Sequence, residues 1–435
     1  MTIRVRQQPK NRRRTAARTG VSLITLALAV TGCGASDSPG ATAASSRSAA
    51  ASHGVQEPGA TSAPPGRTSA DAAPATTTAA ASKPTATCTD RYLSGMTTAQ
   101  RAGQLVMGGV SAAHPDQAQL RVLRDNHVGS VMLTGRSTAG TAATRKAVDG
   151  FRGQADRVNG RQVGLLVSTD QEGGRVQVLN GPGFSAMPSG LTQGSWSTAT
   201  LRARAAGWAK ELKSAGVNLN LAPVADVVPA SLGARNIPIG SFQREYGHTP
   251  ATVTSHTGAF AAGFAQTGVL TTFKHFPGLG HVIGNTDTTA GVVDSVTTAD
   301  SPDLAPFRAG VKAGAPFVMI SSATYTKIDP KHLAAFSPTV VDHLLRGQLG
   351  FKGVVISDDL GNAVAVRSFT PAQRAVNFVA AGGDMILTVQ PSTVPAMTRA
   401  LQAKMGQDAS FRAKVDNSVR RILDAKRAAG LLDCG

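Results

Sequence analysis

Eight short apolar runs recur along the second part of the chain: Gln104–Val110, Val128–Thr134, Val163–Ser168, Val217–Ala222, Val269–Phe273, Pro316–Ile320, Gly353–Ile356 and Asp384–Val389. Between them lie segments of helical length and 3.6-residue periodicity, such as Thr200–Ser214, Ala251–Gln266, Pro338–Gly347 and Pro371–Ala380. The runs are nearly continuous in apolar character rather than alternating. That pattern belongs to parallel strands covered on both faces by helices. Eight strand–helix units predict an α/β fold closed as a TIM (β/α)8 barrel over residues 88–435, with a doubly wound open sheet as the alternative. A last helix over Asp408–Ala429 completes the domain.

The first part of the chain has a different pattern. A basic stretch leads into the apolar run Val21–Val30 and then Thr31-Gly32-Cys33. The apolar run is too short to span a bilayer and is followed by small residues, which predicts a secretory signal peptide over residues 1–32. Val30-Thr31-Gly32-Cys33 resembles the bacterial lipobox, and that resemblance implies cleavage before Cys33 and lipidation of its thiol. Acyl chains on one cysteine bury enough CH₂ groups for stable anchoring. The chain is therefore expected outside the cytoplasm, on the outer face of a bacterial cell membrane. Residues 33–87 are almost entirely Ala, Ser, Thr, Gly and Pro. Such a composition cannot bury enough apolar surface to offset its ordering entropy, and it predicts a flexible tether.

Composition narrows the function. The formal charge is +18, but seven Lys and Arg precede residue 19 and the rest are scattered, without a basic run or interleaved aromatics. Nucleic acid is thus excluded as a partner, and the lipid anchor is the expected contact with membrane. A monomer is expected. The nine histidines show no metal-ligand spacing, so neither a metal site nor a cofactor is predicted. Of three cysteines, Cys88 opens the domain and Cys434 nearly ends it. Barrel termini lie close together and the compartment is oxidising, which makes a Cys88–Cys434 disulfide the expected pairing.

Polar residues follow the apolar runs with regularity. Asp170 follows the third, Asp226 the fourth, Lys274-His275 the fifth, Ser321-Ser322 the sixth, Asp358-Asp359 the seventh and Gln390 the eighth. Strand ends at the C-terminal face are where a barrel carries its chemistry. Three of these ends sit in distinctive motifs: DQEGGRV at 170–176, KHFPGLG at 274–280 and SDDL at 357–360. The first two combine carboxylates or cationic donors with glycines that allow close approach of backbone to a ligand, and the third ends an apolar strand with two acids.

These motifs, with NLAPVADV at 220–227, resemble glycoside hydrolase family 3, in its single-domain β-N-acetylhexosaminidase branch, over roughly residues 92–430. The resemblance implies a TIM barrel and retaining hydrolysis through a covalent glycosyl-aspartate. It assigns the nucleophile to Asp358, and contacts to the sugar to Asp170, Lys274 and His275. Arg244, in Arg244-Glu245-Tyr246-Gly247, is similar to the family's Arg-Ser-Phe-Gly and is implied to bind sugar as well. Asp226 and Asp359 are read as scaffold. Arg175 is expected to orient neighbouring carboxylates, with Glu172 as its partner.

The sequence departs from this branch in two places. The branch carries Asp-Ser-His on the loop after KHFPG, with the histidine as acid/base. Here the loop reads His281-Val282-Ile283-Gly284-Asn285-Thr286-Asp287-Thr288-Thr289. The motif falls on Asn285-Thr286-Asp287 without a gap, or on Asp287-Thr288-Thr289 with an insertion, and neither register supplies a histidine. Asp287 is the expected replacement, with His281 as the alternative. Val178 stands where the branch has another sugar-binding arginine. The expected function is an exo-acting β-glycosidase on β-linked N-acetylglucosamine from cell-wall (peptidoglycan) fragments. A β-glucosidase, a phosphorolytic variant and a catalytically silent glycan-binding lipoprotein are the alternatives.

Overall fold

The computed structural model describes residues 87–435. Cys33 and the expected signal and tether segments lie outside the described residues.

Eight parallel strands form one sheet: β1 (Val106–Ser111), β2 (Ser130–Thr134), β3 (Leu166–Thr169), β4 (Leu219–Asn220), β5 (Leu270–Phe276), β6 (Phe317–Ile320), β7 (Val354–Ser357) and β8 (Ile386–Thr388). Each pairs with its sequence neighbour, β1 also pairs with β8, and a parallel bridge from Ile356 to Met385 closes the ring. The chain order runs unbroken around the barrel. An open doubly wound sheet would instead reverse the order at a switch point. Every strand overlaps its predicted run.

Two apolar layers explain the continuous runs. Val131, Leu133 and Val167 point outward to a cluster that includes Leu201, Trp208 and Phe260 of the surrounding helices. The alternate residues Met107, Met132 and Leu166 face the barrel interior and belong to a second apolar cluster. Successive side chains on a strand point to opposite faces, so both faces need apolar residues here. The helices start where their caps dictate. Thr370 and Gln373 form a reciprocal capping box ahead of Pro371–Ala380, and Asp408 accepts from the amides of Ser410 and Phe411 to start Ala409–Ala428. The segment Thr339–Gln348, expected as an ordinary helix, is wound as a π-helix.

The ends of the domain meet at the base of the barrel. Cys88 and Cys434 are bonded, with their Cα atoms 5.5 Å apart. Gly164, just ahead of β3, donates to the Leu431 carbonyl, and the Tyr92 hydroxyl donates to the carbonyl of Asp433. These contacts lie at the N-terminal ends of the strands, opposite the loops that carry the polar motifs.

Candidate active site

At the C-terminal mouth, Asp170, Arg244, Lys274, His275, Asp287 and Asp358 line one cleft of about 340 Å³. All six site residues singled out in the barrel sequence therefore come together, from five different loops or strand ends. Its floor is apolar, with Met132, Leu221, Met319 and Leu387 from the barrel interior.

One wall is a charge network. The Lys274 ammonium lies 2.6 Å from both Asp170 Oδ1 and Glu172 Oε1. Arg244 grips Glu172 through Nε and Nη2, each at 2.8 Å, and donates from Nη1 to the Pro238 carbonyl at 2.9 Å. Burial works against the charge on Glu172, but Arg244 and Lys274 outweigh it and lower its pKa to about 2. Burial also opposes the charge on Lys274, and Asp170 and Glu172 overcome it, so the ammonium is held more firmly than usual. Glu172, Arg244 and Lys274 are thus each held in the charged form. Of the two carboxylates that hold Lys274, Asp170 is the more exposed, 23% accessible against 5% for Glu172, so it is the one open to ligand hydroxyls.

Glu172 does not pair with Arg175, the partner expected from sequence. Arg175 is exposed, its guanidinium 5.7 Å from the centre of the Phe242 ring, while Glu172 is held by Arg244 and Lys274. The hairpin formed by 171–173 and 176–177 turns Arg175 away from its near neighbour. Gly173 makes that turn possible, with φ of 110° and a backbone so close to Pro188 that an added Cβ would lie 2.2 Å from its carbonyl oxygen.

Behind the wall, Asp226 is fully buried and acts on His275. Its Oδ2 lies 2.7 Å from His275 Nδ1, and its Oδ1 accepts from the amides of His275 at 3.1 Å and Leu279 at 2.7 Å. That places a proton on Nδ1 and leaves Nε2 toward Arg244, 3.4 Å away. Asp226 is not among the cleft-lining residues, which fits its reading as scaffold. The peptide between Lys274 and His275 is cis.

The loop after β5 is fixed in three ways. Asn236 donates to the carbonyls of Leu279, Gly280 and Val282. Tyr325 donates to the Gly278 carbonyl at 2.7 Å. Gly280 passes so close to Val227 that an added Cβ would sit 1.7 Å from its carbonyl oxygen. Farther along, the amides of Val364 and Ala365 donate to the carbonyls of Asp287 and Thr286. Those bonds dock the tip of the loop on the loop after β7. Asp287 is exposed as a residue, yet the cleft withdraws enough water from its carboxyl group to raise the pKa to about 6, with Asp358 adding to the effect. His281 is engaged elsewhere, with Nε2 2.7 Å from Asp303, and is not among the cleft-lining residues.

Asp358 ends β7 at the cleft, and its Oδ1 accepts from the Asp359 amide at 2.9 Å. Asp359 is buried, and its carboxylate accepts from the amides of Gly361, Asn362 and Val389. It holds the β7 and β8 loops together. Besides Asp226, two other strand ends flagged by polarity stay out of the cleft. Ser321 bonds to the Tyr325 hydroxyl, and Val389 lines the cleft in place of Gln390. Conversely, Asn285 and Asn362 line the cleft without having been singled out. Both sit a few residues beyond the strand ends, in loops whose course the hydrophobic pattern does not predict.

Known proteins share this architecture. Residues 97–425 match the model of the glycosyl hydrolase family 3 N terminal domain. A β-hexosaminidase of Xanthomonas axonopodis pv. citri is 32% identical over 308 residues, 69% of this chain and 88% of that protein. One of Xylella fastidiosa is 33% identical over 318 residues, 71% of this chain and 90% of that protein. The crystal structure of a β-N-acetylhexosaminidase from Beutenbergia cavernae superposes with a TM-score of 0.75 at 50% identity, over 76% of this chain and 99% of that one. With a match across nearly the whole barrel and a cleft of carboxylates at its mouth, the chain belongs to glycosyl hydrolase family 3 and is an O-glycosyl hydrolase, β-N-acetylhexosaminidase-like in kind.

Proposed function

We propose that the protein is a retaining exo-β-N-acetylglucosaminidase that trims cell-wall fragments through a covalent glycosyl-Asp358 intermediate. The observation that carries this reading is the shared cleft of Asp287 and Asp358, with Asp170, Arg244, Lys274 and His275 on the same surface. The names of the related hexosaminidases support the choice of sugar.

In the first step the protonated Asp287 gives its proton to the glycosidic oxygen while the Asp358 carboxylate attacks C1. The C1–oxygen bond to the aglycone breaks, its electron pair leaves with the protonated aglycone, and a C1–O bond to Asp358 forms. Asp287 is then a carboxylate. In the second step it takes a proton from water as that water attacks C1 and releases Asp358. A group that must be acid and then base needs a pKa near the working pH, and about 6 suits both roles. Asp170 and His275 hold the sugar, and Lys274 fixes Asp170 in place.

The same reading puts the barrel outside the cell, lipidated at Cys33 and linked to the membrane through residues 33–87. This part rests on the sequence pattern alone. A panel of nitrophenyl glycosides tests the sugar. The N-acetyl-β-glucosaminide should be the best substrate, and a faster β-glucoside would reassign it. Appearance of sugar 1-phosphate in phosphate buffer would replace hydrolysis by phosphorolysis.

A further inference from the structure

A second cleft of about 450 Å³ adjoins the first and shares Met132, Asp170 and Val389 with it. Asp287 and Asp358 do not line it. It therefore meets the sugar at the Asp170 side, away from the bond that is cut. Its rim carries Arg136 and Arg175, and the buried Val178 contributes to its wall.

The charge here is unlike that of the main cleft. The single carboxylate among the lining residues is Asp170, already paired with Lys274 at 2.6 Å. Neither arginine forms an ion pair with a carboxylate among the described residues. Arg136 is nevertheless positioned: it donates to the carbonyls of Gln177 at 3.3 Å and Arg175 at 2.6 Å. The strand of loop it grips is stitched to the β2 end by the Ser137 amide on the Val178 carbonyl and the Asn180 amide on the Ser137 carbonyl. Arg175 rests near the Phe242 ring face. Guanidinium groups have five donors in a planar fork, which matches the oxygens of a carboxylate, sulfate or phosphate. Two carbonyl bonds use only part of that capacity on Arg136.

We infer that this side cleft is a specificity subsite for a negatively charged substituent on the non-reducing-end sugar, read by Arg136 and Arg175. The inference rests on the glycosidase reading. The substituent would sit on C4 or C6, the ring positions remote from the scissile bond. A neutral hydroxymethyl group makes little use of two cations without counter-charges, whereas an anion satisfies both.

The test is titration calorimetry of the full chain with N-acetylglucosamine, its 6-sulfate and its 4-sulfate. At least one sulfated sugar should bind ten-fold or more tightly than the neutral one at low salt, with the gain lost in 0.5 M NaCl. Arg175→Gln should remove at least threefold of the sulfated affinity and leave the neutral affinity unchanged. This variant is informative because the Arg175 side chain donates no hydrogen bond among the described residues. Arg136→Gln should add a further loss for the sulfated sugar. Equal or weaker binding of both sulfated sugars, or equal effects of Arg175→Gln on all three, overturns the inference. Hydrolysis of the neutral nitrophenyl glycoside is scored separately. If it proceeds while sulfated sugars fail to bind, the subsite alone falls. If a sulfated sugar binds as expected but no glycoside is cut, the glycosidase reading alone falls.

Discussion

Asp287 and Asp358 line one cleft, and Asp287 keeps its proton to about pH 6 because water is withdrawn from it and because the Asp358 charge opposes a second one nearby. A carboxyl group that keeps its proton at mildly acidic pH beside the proposed nucleophile is what an acid-assisted first step requires.

Substituting Asp287→Ala should therefore cost roughly 10²–10⁴-fold on substrates with a poor leaving group. An activated nitrophenyl substrate should lose less in the first step, and azide should restore the second by attacking C1 without a base. Steady-state rates with and without azide decide the matter. Equal losses on both substrates with no azide effect would assign the role elsewhere.

The pH dependence has a definite sign. The acid form of Asp287 is the active one in the first step, so kcat/KM on unactivated substrates should fall as pH rises through about 6. In Asp358→Asn the neighbouring charge is gone, and an NMR titration should find the Asp287 pKa lower. Stability has the same direction. A carboxyl group raised in the folded state favours folding below its unfolded value of about 4 and loses that advantage as pH rises to about 6. Asp287→Asn should thus be at least as stable as the parent at pH 7, measured by urea unfolding.

Asp358→Ala should lower turnover roughly 10⁴-fold while the protein still folds, since Asp358 is one strand-end carboxylate at the open mouth. A fluorinated glycoside that traps the intermediate should label Asp358, as read by peptide mass spectrometry. Label on Asp359 or Asp226 would refute the assignment.

Glu172→Gln should be the costliest conservative change in the site. It leaves Lys274 and Arg244 buried side by side with one partner fewer, a loss on the order of 3–5 kcal/mol. Because Glu172 is lowered to about 2, its stabilisation is present above about pH 4.3 and disappears as pH falls toward 2. Denaturant midpoints at pH 7 and pH 2.5 should show a large difference between the variant and the parent at the first and a small one at the second.

Cys33→Ser should move the protein from the membrane to the soluble fraction. An unchanged distribution after the substitution would remove the lipid anchor from the reading.

The barrel was legible because strands buried on both faces leave no room for polar residues, as in Val131-Met132-Leu133, where alternate side chains meet the helices and the interior. Strand ends were readable for the same reason: Asp170, Lys274 and Asp358 interrupt apolar runs. The Glu172 partnership was not. It depends on Arg244, 72 residues away, reaching back over the mouth, while Arg175, three residues from Glu172, is turned outward by the hairpin. Sequence distance favours the wrong arginine, and only tertiary packing selects the right one. Asn236 illustrates the same limit, because nothing local marks it as the clamp on three carbonyls of another loop.

The bond between Cys88 and Cys434 makes the barrel a covalent ring. A protease that cuts one exposed loop would not yield two pieces. It would yield a single chain of unchanged mass plus one water, with new ends at the cut and its old ends still joined. On a gel such a nick is invisible until a thiol is added. The cut product keeps all eight strands linked in order, and only a second cut yields a fragment that no covalent bond retains.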